Sequence, residues 1–315
     1  ICSNTPRHES LKSFLTAMLE DAVSKKTATS GRGNDEDDDS GDASLTAFLG
    51  ALKEGQQAVL GGNFRDAIMV LERAAVKKDS VRDPRKQQSC SGRAAHILGN
   101  AHFGLGNYAV AASNHERGLA IFRLLDDAEG VAMCMAGCGN AFIHMGRSEE
   151  AIECLEHAVA YFGGSSKPMN RLNEAQCCNS LGVIQIGLGQ YLAAQEHIKA
   201  AIAIYEHCEG DWHLAGKVLH GKATAVGNMG GICHKLGQYV KAIELSHSAY
   251  ALSQKAGDEH GCAGHLSAIG SSHRQLGELE QAWAHLTRAL ARSERIKDRL
   301  GVVTTMENLG NVCRG

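Results

Sequence analysis

A glycine-spaced phrase returns along this 315-residue chain about every 40 residues, and that return limits the possible folds more than any other feature. Each copy carries a first glycine, a second glycine, a residue beside the turn and then an alanine. The copies read Gly55, Gly62, Phe64, Ala67; Gly99, Gly106, Tyr108, Ala111; Gly139, Gly146, Ser148, Ala151; Gly182, Gly189, Tyr191, Ala194; Gly230, Gly237, Tyr239, Ala242; and Gly270, Gly277, Leu279, Ala282. A seventh copy opens at Gly310, and the first glycines are separated by 44, 40, 43, 48, 40 and 40 residues. Such periods belong to stacked helical hairpins, in which each unit buries its apolar face only against its neighbours. Binding is therefore favoured over catalysis as the function.

Within a unit the phrase predicts helix A, a tight turn and helix B. The first glycine and the alanine fall where the two helices cross closely, and the second glycine lets the backbone take a positive φ after helix A. In the second unit, helix A is expected over Gly92 to Leu105 and helix B over Tyr108 to Leu125, with Tyr108 packed beside the turn. Between units, Asp126 to Gly130, Gly257 to Gly261 and Lys297 to Gly301 recur at matching places. There Gly257 reads as a helix stop and Asp258 as an N-cap. Insertions at Gly163 to Pro168 and Cys208 to Trp212 lengthen two intervals without breaking the stack.

Three prolines, 5% aromatic residues and abundant small apolar residues agree with an all-α chain. Residues 44–315 are expected to form the array. Residues 1–43 are expected to hold a short amphipathic helix over 8–25 and an acidic linker around Asp35 to Asp39. That segment carries nine acidic and five basic residues, against 26 and 27 in the remainder. Nothing in this balance suggests a nucleic-acid footprint, and no apolar run is long enough to span a bilayer. Scattered cysteines and the lack of a secretory signal lead us to expect reduced thiols and a cytoplasmic protein. The chain opens without Met and stops inside a unit, so it is expected to be a piece of a longer protein.

These spacings resemble tetratricopeptide (TPR) repeats, with each helix lengthened by nearly a turn, over residues 44–293. That resemblance implies a right-handed α-solenoid of six full hairpins and one partial. The 40-residue unit, the phrase Leu98 to Tyr108 and the linker Ala256 to Gly261 are most similar to the Pins/LGN group of G-protein-signalling modulators. Membership there would imply a scaffold for extended partner segments in G-protein signalling or cell polarity, although the GoLoco motifs of that group do not occur here. Its groove Arg is matched by Arg93, its earlier Asn by Asn228 and Asn308, and its later Asn by Asn100, Asn140 and Asn311. Val183, Gly231 and Ser271 depart from that pattern. The alternative is a regulatory or recruiting array of a larger enzyme or motor, as in kinesin light chains. A heat-shock co-chaperone clamp is incomplete, because its sites hold His96, Asn100 and Gly137.

A helices line the concave wall of a hairpin solenoid, so their polar residues one turn apart make a continuous surface. The candidates for a peptide-binding groove are Arg93, His96, Asn100, Phe103, Asn140, His144, Gln176, Asn179, Asn228, His234, Lys235, Ser271, Arg274, Asn308 and Asn311. Asn suits the backbone of an extended peptide, and Arg and Lys suit acidic side chains. Any one of these alone is ordinary solvated surface; the row reads as a groove. No catalytic constellation, phosphate loop or cofactor motif is present, and no metal site is expected, since closed zinc sites need four converging ligands. Cys134 and Cys177 share a register where small residues pack, and are expected to fill core. Trp212 lies in the widest loop, where the repeat does not demand it.

Overall fold

The computed structural model describes residues 43–75, 81–210 and 213–314. The expected helix over 8–25, the acidic run and Trp212 lie outside the described residues. Those described form thirteen helices and no strand: α1 Ala43–Leu60, α2 Phe64–Ala75, α3 Pro84–Gly104, α4 Tyr108–Leu124, α5 Ala128–His144, α6 Ser148–Gly163, α7 Pro168–Gly187, α8 Tyr191–His207, α9 Ala215–Lys235, α10 Tyr239–Ala256, α11 Glu259–Gln275, α12 Leu279–Arg295 and α13 Arg299–Cys313. Odd-numbered helices are A helices and even-numbered ones B, giving six hairpins and a seventh A helix.

Each hairpin forms as its glycines require. All six second glycines have φ between 72° and 77°, so the chain reverses after helix A at a conformation closed to most side chains. At the crossing, a Cβ on Gly139, Gly182 or Gly270 would stand 2.5 to 2.7 Å from the nearest side-chain atom of Leu155, Ile198 or Leu286. The six alanines of the phrase, Ala67 to Ala282, are all buried. Tyr108 meets Phe103 edge-on across the turn at 5.4 Å, and Tyr239 meets His234 in the same way at 5.3 Å.

The linkers also repeat. Asp127, Asp258 and Asp298 each accept a hydrogen bond from the backbone N–H three residues on, at 2.8 to 3.0 Å. The preceding residues, Asp126, Gly257 and Lys297, all sit at positive φ, of 56°, 70° and 58°. The second A helix begins at Pro84, eight residues before its expected start. Asp83 accepts from the N–H groups of Arg85 and Lys86 at 2.8 and 3.2 Å, and Pro84 occupies the first turn, where its missing N–H is not needed. Gly227 and Gly231 lie within α9, as a glycine-rich helix and not a phosphate loop.

The chain divides into two compact units at Gly137 and Cys138. In the first, Phe48, Leu52, Leu71, Val81 and Leu98 build a core between the opening hairpins. In the second, Leu172, Ile198, Tyr205, Val218 and Ile232 do so. Cys134 and Cys177 are buried, as their register suggests. No helix of the described residues is long and apolar enough to cross a membrane.

Candidate functional site

In the second unit the A helices are joined rung by rung through polar side chains. The Ser180 hydroxyl on α7 donates to Asn140 Oδ1 on α5 at 2.8 Å, and Asn228 Nδ2 on α9 donates to Asn179 Oδ1 on α7 at 3.0 Å. His234 Nδ1 lies 2.9 Å from Ser272 Oγ on α11, and Asn308 Nδ2 on α13 donates to Ser267 Oγ on α11 at 3.3 Å. Because helical side chains one turn apart share a face, these pairs trace one wall through the successive A helices. The wall gathers Asn140, Asn179, Asn228, His234 and Asn308. Gln176, His144 and Lys235 are exposed on the same helices, and Ser271 is half-buried. Asn311 Oδ1 accepts from Arg314, the C-cap of its own helix, at 2.9 Å.

Each amide in these rungs has donor and acceptor capacity beyond the single bond it makes, since Asn offers two N–H groups and an oxygen with two lone pairs. The serines, Ser180, Ser267 and Ser272, escaped the sequence reading. For Ser180 and Ser267 the signal was a hydroxyl in the register of the wall asparagines, a weak mark in a chain where small residues are common, and Ser272 shares no register with them.

The charge of the wall is positive where α9 and α11 face each other. The imidazole of His234 has its pKa lowered first by burial and then by the cations Lys235 and Arg274. Arg274 is half-buried, and its Nε is a buried donor with no hydrogen-bond acceptor. A buried guanidinium N–H left in this way is costly, and an incoming acceptor would relieve it.

The first unit differs. Of its four candidates, Arg93 projects into solvent, while Phe103 packs on Tyr108. His96 Nε2 lies 3.1 Å from Asn100 Nδ2, and its Nδ1 lies 4.0 Å from Cys134 Sγ. These two side chains are thus engaged with one another and with the next A helix.

Models of the tetratricopeptide repeat match residues 91–162 and 175–208. The 43 kDa receptor-associated protein of the synapse of Tetronarce californica is 26% identical over 172 residues, which is 54% of this chain and 40% of that protein. The chain thus spans well under half the length of that relative. Among solved structures, a Rap protein complexed with competence and sporulation factor superposes with a TM-score of 0.61 at 16% identity, covering 86% of this chain and 76% of that one. The aspartyl phosphate phosphatase F of Bacillus subtilis gives 0.59 at 12%, covering 87% and 80%. A signal-transduction ATPase of Pyrococcus horikoshii with a tetratricopeptide repeat sensor gives 0.62 at 16%, covering 84% of this chain and 38% of that one. At these identities the structures speak for the fold alone, and none of these matches favours the narrower Pins/LGN grouping. Proteins of this repeat family generally bind other proteins and are generally non-catalytic. From these hairpins, turn glycines and matches, the described residues form an all-α solenoid of tetratricopeptide-type hairpins, with the repeat models matching residues 91–162 and 175–208.

Proposed function

We propose that this array is a non-catalytic scaffold whose A-helix wall in the second unit holds an extended, acidic or polar segment of a protein partner. The observation that carries this reading is Arg274, whose buried Nε has no acceptor and whose neighbour Lys235 adds a second positive charge. Asn140, Asn179 and Asn228 would hold the partner's backbone with their remaining donors and acceptors. Arg93 would supply the corresponding charge in the first unit. Residues 44–315 would then be the binding domain, with residues 1–43 an appended segment. A partner in G-protein signalling or cell polarity is the narrowest form of this proposal and rests on the resemblance of the repeats alone.

An array of immobilised extended peptides, acidic, neutral and basic, tests the reading against the chain and its Lys235→Glu and Arg274→Gln variants. Each variant is first shown by circular dichroism to keep its helicity. Acidic peptides should be retained best, with retention falling as salt is raised and falling about tenfold in Lys235→Glu. Equal retention of all three classes, or variants that bind acidic peptides like the parent, would remove this wall as the site.

A further inference from the structure

We propose that His96, His115 and Cys134 form a site for a single zinc-type metal ion in the first unit. His96 comes from α3, His115 from the B helix α4 and Cys134 from the next A helix α5. One ligand atom from each lies within 4.8 Å of the other two. The His96 and His115 rings are 5.2 Å apart between centroids.

Comparison among the repeats shows that this cluster is a local departure from the pattern and not ordinary core. Sixteen residues after each first glycine the chain places Leu71, Leu155, Ile198, Ser246 and Leu286 in the other units, and His115 in this one. The imidazole is 1% exposed, and its Nδ1 has no hydrogen-bond partner, where an aliphatic side chain would serve packing better. Room has been made for it. A Cβ on Gly137 would lie 2.4 Å from the His115 ring, and the corresponding positions of the neighbouring units hold Ile97 and Ser180. Nineteen residues after the first glycine, every other full unit has alanine, namely Ala74, Ala158, Ala201, Ala249 and Ala289. Here it has Gly118, where a Cβ would approach Cys134 Sγ to 2.9 Å. Two departures from the repeat, His115 and Gly118, together with a glycine at a register that varies between units, Gly137, therefore converge on one imidazole and one thiol.

The donors suit zinc. Tetrahedral zinc has Zn–N bonds of about 2.0 Å and Zn–S bonds of about 2.3 Å, which sets the N···S separation near 3.5 Å. His96 Nδ1 and Cys134 Sγ stand 4.0 Å apart, so roughly half an ångström of closure brings that pair to bonding geometry. Asn100, at 3.1 Å from His96 Nε2, completes the arrangement: with its amide turned over, Oδ1 would accept the Nε2–H and fix the ring. On binding, the S–H bond of Cys134 breaks, its proton leaves to solvent, and the thiolate forms the S–metal bond. A water would complete the four-coordinate shell. Two imidazoles and a thiolate discriminate against magnesium and calcium, which take oxygen ligands. Bound metal would tie α3, α4 and α5 together across a repeat junction.

Cobalt(II) is the probe, added to the reduced, chelator-treated and tag-free chain, with zinc as competitor. We expect one equivalent to produce a thiolate-to-cobalt charge-transfer band that zinc abolishes, and zinc alone to raise the melting temperature. His115→Leu and Cys134→Ala install residues that other repeats carry in the same register, so they should fold, and each should lose the band. A parent chain that shows no band at one equivalent overturns the site whatever the variants do. A band that persists in both folded variants assigns the metal elsewhere and overturns it equally.

Discussion

At the residue scale, neighbouring glycines of one helix carry opposite expectations. Gly264 in α11 has open space around it, while a Cβ at Gly270 would stand 2.7 Å from Leu286 Cγ and 3.0 Å from the carbonyl oxygen of Ala282. The first is a helix-interior glycine with nothing to accommodate, and Gly264→Ala should stabilise by about 1 kcal/mol. The second must push back a neighbouring backbone, and Gly270→Ala should destabilise by about 1–3 kcal/mol. Urea midpoints of the two variants should move in opposite directions. The repeat phrase makes Gly270 legible from sequence, because it recurs with its alanine. The orphaned Nε of Arg274 and the ring of His115 are not legible in that way. Each depends on what a neighbouring helix places within a few ångströms, and no spacing within one helix reports that.

At the scale of the element, a helix and its linker are specified together. Helix starts and stops were legible where a residue type has a single local use, as at Gly257 and Asp258. The start of α3 was missed because its signal, Asp83 with Pro84, precedes the repeat phrase and not every unit has it. The linkers also hold conserved geometry under different residues. Lys297 adopts φ 58° where the equivalent Gly257 adopts 70°. A lysine in the left-handed region loses about 1 kcal/mol relative to glycine. Lys297→Gly should therefore raise the melting temperature, and an unchanged or lowered value would show that the lysine side chain compensates for its backbone. From the A helix one repeat earlier, His220 in α9 and His260 in α11 approach the capping carboxylates of Asp258 and Asp298 at 3.1 and 3.2 Å.

Within each unit, helices touch sequence neighbours, as α9 and α10 do, and successive A helices, as α9 and α11 do, so the stability of a unit is a sum of local junctions. That organisation was legible, because the period alone prescribes it. The distribution of histidine across those junctions was not. In the second unit His234, His247, His265 and His285 all have pKa values below the ordinary one, with burial the leading cause in each. For His247 and His285 the nearby imidazole of His273 and the guanidinium of Arg288 add to the effect, while at His265 the Asp258 carboxylate opposes it. Their unfolded values lie near 6.5, so below that pH the unfolded chain binds more protons than the folded one. Stability should be full above about pH 6.5 and fall as the pH drops through that value. Urea midpoints measured at about pH 7.5 and 5.5 should show the decline, and His265→Leu should flatten it.

The rungs Ser180 to Asn140, Asn228 to Asn179 and Asn308 to Ser267 each place one partner in one repeat and the other in the next. The heritable unit of this wall is thus the seam between repeats and not the repeat itself. Because both partners of a rung lie on successive A helices, a cut at a linker and a cut at a hairpin turn each separate one such pair, so excising or duplicating a block leaves its outer rung facing a stranger wherever the cut falls. Divergence of recognition along such a wall should proceed by paired changes on adjoining A helices, with single changes leaving a half-satisfied amide behind.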